Sequence, residues 1–189
     1  MTFRRPAALL ACALVAAVPL AGCGNKEEET KAGETEAAYL DLGNLRYQVQ
    51  ISRQLNPRDV EDRAYLQGLP RTAAQLKAGE SWFAIFVRVE NPHNRTIPAA
   101  SQFELSDTSG TLYRPVPIPR ANPFAYVAGP VAAKQTLPPN SSVAQANESI
   151  NGSLVLFKVK TASFANRPLE LKILGPAVPQ DEVTVDIDV

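Results

Sequence analysis

"SWFAIFVRVEN", residues 81–91, puts apolar side chains on both faces of a period-two pattern. Phe83, Ile85, Val87 and Val89 point one way. Trp82, Ala84 and Phe86 point the other, until Arg88 and Glu90 bring charge. Successive strand side chains face opposite sides of a sheet, so apolar residues on both mark a central strand covered on two sides.

The flanking sequence supplies more strands. Leu45, Tyr47, Val49 and Ile51 alternate with Arg46, Gln48, Gln50 and Ser52, which reads as a half-buried strand with one wet face. "FELSDTSGTLY", residues 103–113, reads as strand, turn and strand, with Asp107 to Gly110 turning the chain. Further strands are read at 152–160 (GSLVLFKVK), 168–174 (PLELKIL) and 183–189 (VTVDIDV). Between the first two strands, Asn56-Pro57 offers an N-cap and a proline at the first helical position, which predicts one short helix over 57–66. Prolines at 115, 117, 119, 123, 130, 138 and 139 cannot donate to a ladder, so 114–139 is an edge or a long surface loop. The sum is an all-β chain: an antiparallel β-sandwich of about seven strands, with one short helix in an insertion.

The N-terminus is different in kind. Arg4 and Arg5 precede an uncharged apolar run from Ala7 to Leu20, the layout of a secretory signal peptide. Those 14 residues fall short of the roughly 20 that a membrane-spanning helix needs. Leu20-Ala21-Gly22-Cys23 resembles the lipobox of bacterial lipoproteins. That resemblance implies a diacylglycerol on the Cys23 sulfur, cleavage between Gly22 and Cys23, and a lipid-anchored extracytoplasmic protein at the cell membrane. Of the two cysteines, Cys12 leaves with the leader, so the processed chain has no disulfide and rests on its core alone. Residues 24–38 hold five glutamates, two lysines and no large apolar side chain, the composition of a disordered linker. The chain therefore divides into a leader (1–22), a lipidated cysteine with its acidic linker (23–38) and a folded domain (39–189).

The order of strand signals over about 40–174 is similar to the immunoglobulin-like (telokin-like) extracellular domain of unknown function found in many bacterial lipoproteins. The matching residues are Phe83, Val87, Val89 and Asn91; Phe103, Leu105, Asp107, Gly110 and Tyr113; Leu137-Pro138-Pro139; and Gly152, Leu154, Phe157 and Val159. The resemblance implies an immunoglobulin-like sandwich. The chain departs from the family at Pro139-Asn140, where a Pro-Gly turn is usual, and in the greater length of 55–79 and of the proline-rich loop. These motifs are structural and speak to fold more than to function.

Function is weighed site by site. Without the leader the charges are 17 basic and 19 acidic (19 basic less Arg4 and Arg5), with no basic cluster to suit a nucleic acid. His93, in "NPHN", is the only histidine, so any triad would have to be built on a loop histidine. No phosphate loop or zinc spacing occurs, and no cofactor is expected. Asp186 and Asp188 share one face of the last strand, where acids suit either a hard cation or a protected edge. Asn94, Asn140, Asn147 and Asn151 each open an N-x-Ser/Thr triplet and are read as turn residues. Phe124 and Tyr126, in "NPFAY", are the candidate partner-binding pair; the other reading is that they fold back and plug the sandwich. The expectation is a non-enzymatic, membrane-anchored lipoprotein that binds or supports another cell-envelope protein. The alternative is a small-molecule or ion-binding receptor.

Overall fold

The computed structural model describes residues 32–33, 38–146, 150–177 and 180–187. The leader, Cys23, Asn147 and Asp188 lie outside them.

The strand at the centre is β4 (Glu80–Glu90). On one side it pairs with β3 (Leu45–Leu55), which in turn pairs with β2 (Tyr39–Leu42). On the other it pairs with β10 (Ser153–Lys160), and β9 (Thr136–Leu137) takes over opposite Val89 and Glu90. A second sheet has the order β1 (Ala32–Gly33), β12 (Glu182–Ile187), β11 (Leu169–Leu174), β6 (Gln102–Ser106), β7 (Leu112–Tyr113). All its pairs are antiparallel except β1 with β12. A two-residue ladder joins β5 (Ile97–Pro98) to β8 (Pro130–Val131). The two main sheets enclose the inner core, so the fold is an all-β sandwich, as the sequence predicts.

The inner core takes Phe83, Ile85, Val87 and Val89 from β4, all fully buried. They meet Phe103, Leu105, Leu171, Ile173, Val183 and Val185 from the facing sheet. Each such side chain stabilises by roughly 1.5–3 kcal/mol on leaving water. The opposite face of β4 feeds an outer core, in which Trp82, Ala84 and Phe86 join Leu55, Tyr65, Leu154 and Leu156. Its lid comes from the insertion after β3 and from the proline-rich loop. The insertion contributes Tyr65, Leu66, Leu69 and Leu76, and the proline-rich loop contributes Val116, Ile118 and Phe124.

Several local expectations are corrected. The helix predicted over 57–66 starts later: α1 is Val60–Tyr65, capped by Asp59, whose carboxylate accepts from the Glu61 and Asp62 N–H groups. Asn56 instead closes a turn ahead of it, accepting from the Arg58 and Asp59 N–H groups. The insertion holds a second helix, α2 (Arg71–Ala74), and α3 (Val143–Ala146) lies elsewhere. Ile51 does not continue the inward series of Leu45, Tyr47 and Val49. A bulge between Val49 and Ile51 shifts the register, Ile51 packs with the outer core and Ser52 is buried in its place. One extra residue on one strand inverts every side chain beyond it. The linker is not wholly free of structure either, because Ala32–Gly33 pairs with Thr184–Val185.

Gly152 shows how closely the chain passes β4. A Cβ there would meet the Phe86 carbonyl carbon at 2.9 Å and the Val87 nitrogen at 3.0 Å.

Candidate functional site

The structure places Phe124 and Tyr126 in packing roles. The Phe124 ring sits edge-on to Tyr65, centroids 4.8 Å apart, and joins the outer core. The Tyr126 ring lies 4.9 Å from that of Phe103, against the inner core, and its hydroxyl donates to the Ala100 carbonyl at 2.8 Å. Residues two apart in a regular strand share a face, so the parting of these rings to the two cores shows that the stretch is not a regular strand. Main-chain bonds fix that stretch along the free edge of β10: Leu154 N–H donates to the Phe124 carbonyl at 2.7 Å, and Tyr126 N–H to the Leu154 carbonyl at 2.9 Å. Val116 N–H adds a bond of 2.7 Å to the Leu156 carbonyl. The proline-rich segment thus closes a sheet edge through its non-proline residues. Its aromatics are pinned to the body of the domain, and no exposed aromatic patch forms in "NPFAY".

Asn122 ties this loop to the insertion. Its amide donates to the Tyr65 and Gln67 carbonyls at 2.9 and 3.0 Å, while its oxygen accepts from Phe124 N–H at 2.9 Å. The insertion is anchored in turn by the Arg53–Asp62 ion pair. Asp62 is buried and also accepts from the Asn56 N–H at 2.7 Å.

Tyr47 and Tyr126 form the main buried polar pair. The Tyr47 oxygen accepts from the Ala100 N–H at 2.7 Å. Burial pushes the Tyr47 hydroxyl up to about 12, against the opposing effect of the hydrogen bond from the Ala100 N–H and of the neighbouring Tyr126 hydroxyl. Burial and the neighbouring Tyr47 also raise Tyr126 well above the ordinary tyrosine range. Both phenols are neutral at physiological pH and serve as structural clamps. Asp107 is the reverse case. Burial alone would raise its carboxyl, but hydrogen bonds from the Ser109 and Ser163 hydroxyls and from the Thr111 and Ser109 N–H groups hold it well below the usual range. It is a turn-former: its Oδ1 takes the Ser109 and Thr111 N–H groups at 3.0 and 2.9 Å.

A concave polar site does occur, at the end of the sandwich where β2 turns into β3. Gly43 and Asn44 both have positive φ (59° and 67°), as a two-residue hairpin turn of the primed type requires. That turn, the loop after β4 and the start of β12 surround an open cleft of about 530 Å3. Asp41, Asn44, Arg46, His93 and Asp181 line it. Arg46 Nε lies 3.6 Å from Asp41, both about half exposed. A neighbouring hollow of about 430 Å3 shares Gly43, Asn44 and Asp181 and adds Arg95 and Thr96.

Asn91 holds the His93 loop in place. It is buried, its amide donating to the Arg95, Val131 and Ala132 carbonyls at 2.7, 2.9 and 3.1 Å, and its oxygen accepting from the His93 N–H at 3.0 Å. The lone histidine is exposed, as a loop residue should be, yet lines this cleft. Sequence reading missed both the cleft and the β2–β3 hairpin; Gly43-Asn44 after Leu40 and Leu42 was the available turn signal. Asp186 stands at the β12–β11 ladder opposite Glu170. Among the described residues no group of three or more His, Cys, Asp and Glu side chains is placed to hold a metal ion. No described helix is long and apolar enough to cross a membrane.

No family model and no curated protein matches the sequence. Solved structures do. The chain is similar to the yjhA protein of Bacillus subtilis, with a TM-score of 0.54 at 12% identity over 82% of this chain and 99% of that one. A candidate lipoprotein of B. subtilis, ycdA, gives 0.49 at 10% identity over 81% and 39% of the two chains. An uncharacterised β-sandwich protein of Clostridium difficile 630 gives 0.45 at 8% identity over 82% and 95%. The likeness to yjhA speaks for the fold alone.

Proposed function

We propose that the protein is a non-enzymatic, extracytoplasmic lipoprotein, anchored at the cell membrane through Cys23, that works by binding. The sequence Leu20-Ala21-Gly22-Cys23, behind an uncharged apolar run and ahead of an acidic linker, is the observation that carries the anchor. Two lipid chains hold a protein on a bilayer stably, since each buried methylene contributes about 0.8 kcal/mol. Cys23→Ala tests it. The variant should leave the membrane fraction while its domain melts at the unaltered temperature; a variant that stays with the membrane after a salt wash contradicts the anchor.

The geometry of its surface supports one reading of what the domain binds. The exposed large apolar residues among those described, Tyr39, Val60, Leu112 and Val143, are separate in the chain. A flat apolar docking face would favour an envelope-protein partner; a cleft with convergent polar groups favours a small ligand. The Asp41–Asn44–Arg46–His93–Asp181 cleft supports the second, and its two signs of charge suit a small zwitterion such as an amino acid or phosphoethanolamine. Titrating each into labelled protein should shift the amide signals of Asn44, Arg46 and His93, and Arg46→Ala should abolish the response. Shifts spread elsewhere, or none, would return the reading to a protein partner.

A further inference from the structure

We infer that the pairing of β1 with β12 decides which end of the sandwich faces the membrane, and that it is the end bearing the polar cleft. This inference rests on the lipid anchor proposed above.

The direction follows from the register. Ala32 lies opposite Thr184 and Gly33 opposite Val185, and the pairing is parallel. Moving back along the chain from Ala32 therefore runs toward Glu182 and Asp181, the start of β12. Asp181 lines the cleft, and its carbonyl accepts from the Gly175 N–H at 2.7 Å, closing that end of the sheet. So the N-terminal end of β1 points to the cleft side. Had the two residues paired antiparallel, it would have pointed to the side of Ile187.

Length makes the direction matter. Cys23 stands nine residues before Ala32 (32 − 23), which reach at most about 30 Å when fully extended. A flexible coil of nine residues in general has a mean span nearer 16 Å. The opposite end is marked by the Asp107–Gly110 turn and by Thr161, whose N–H donates to the Gly79 carbonyl at 2.8 Å. It lies the length of β4 away, eleven residues or roughly 35 Å. A tether shorter than the domain, clipped near one end, keeps that end closer to the headgroups.

Charge does not supply the bias. The cleft end carries Arg46, Arg95 and Lys134, the last with its Nζ 2.6 Å from the Pro92 carbonyl, but also Asp41 and Asp181. The orientation is set by the strand clip, and a neutral bilayer serves as well as an anionic one.

The test uses the processed chain, Cys23 to Val189, on nanodiscs doped with a gadolinium-chelating lipid. Relaxation enhancement falls steeply with distance from the headgroups. Amide signals of Asn44, His93 and Gln180 should be lost while those of Ser109, Gly110 and Thr161 persist, in neutral and anionic bilayers alike. Replacing both Ala32 and Gly33 by proline (Ala32→Pro, Gly33→Pro), which cannot donate to a ladder, should even out the two ends. Equal or reversed losses in the parent chain, a gradient seen only with anionic lipid, or an unchanged gradient in the double proline variant would each overturn the inference. Natural chain that does not enter the nanodiscs would instead refute the anchor; coupling Cys23, then the only thiol, to a maleimide lipid leaves the gradient measurable.

Discussion

On one side of β4, Phe83, Ile85, Val87 and Val89 meet another sheet; on the other, Trp82, Ala84 and Phe86 meet Tyr65 of α1, leucines of the insertion and apolar residues of the proline-rich loop. The inner core is closed by ladders, whose backbone groups satisfy one another whatever the side chains. The outer core is closed by loops, which share a few main-chain bonds with β10 but no continuous ladder. Other carbonyls and N–H groups of these loops are answered one at a time, by Asn122, by Asp62 paired to Arg53, and by Lys158, whose Nζ reaches the Gln75 carbonyl at 2.6 Å. The same apolar strand thus supports one layer fixed by topology and another fixed by individual side chains. The second should open first, since regions with fewer shared backbone bonds have lower local stability.

Truncation at the two faces gives the largest contrast. Phe83→Ala should cost about 3–5 kcal/mol, the range for a fully buried aromatic, whereas half-buried Phe124→Ala should cost about 2. Urea denaturation of both variants checks this, and equal losses would erase the distinction between the cores. Adding Tyr126→Ala to Phe124→Ala should lower the melting temperature further, because that ring packs on Phe103.

Alkaline pH probes the inner side alone. A tyrosine whose folded-state value is raised keeps its full stabilisation below its ordinary value and loses it as pH climbs toward the folded one. With Tyr47 near 12, stability should hold up to about pH 10 and then fall by on the order of 3 kcal/mol by pH 12. Tyr47→Phe should flatten that limb of the pH profile.

Asn122→Ala sharpens the comparison from the outer side. It strands two carbonyls and an N–H, which should cost about 2 kcal/mol. Asn122→Asp should cost no less, since a carboxylate cannot donate to either carbonyl. Asp107 belongs to neither lid, and its effect shows only at acid pH. Its depressed value means that its contribution is present above about pH 4 and lost as pH falls below, so Asp107→Asn should lessen the acid sensitivity.

The sandwich was legible because its strands alternate cleanly. Residues 81–91 announce two covered faces, and 152–160, 168–174 and 183–189 fall within a residue or two of the observed strands. The bulge was not legible, because Ile51 continues the period of Leu45, Tyr47 and Val49; only the apolar lid over the far face explains why it turns outward. Prolines marked 114–139 as an edge or loop, but the pairing with β10 uses residues between them, and no local pattern names the partner. Phe124 and Tyr126 left both docking and packing open to a reader of sequence, with packing somewhat favoured, since both need large rings. The cleft joins 41–46, 93 and 181, which only the closed sandwich brings together.

Hydrogen exchange at three amides tests most directly whether the proline-rich segment is part of the fold. Val116, Tyr126 and Leu154 N–H groups carry the bonds between that segment and β10. If the segment closes the sheet edge, Val116 and Tyr126 should exchange orders of magnitude more slowly than free peptide, and Leu154 as slowly as the rest of β10. Exchange of Val116 and Tyr126 at free-peptide rates would contradict the second core and return "NPFAY" to the surface as a binding loop.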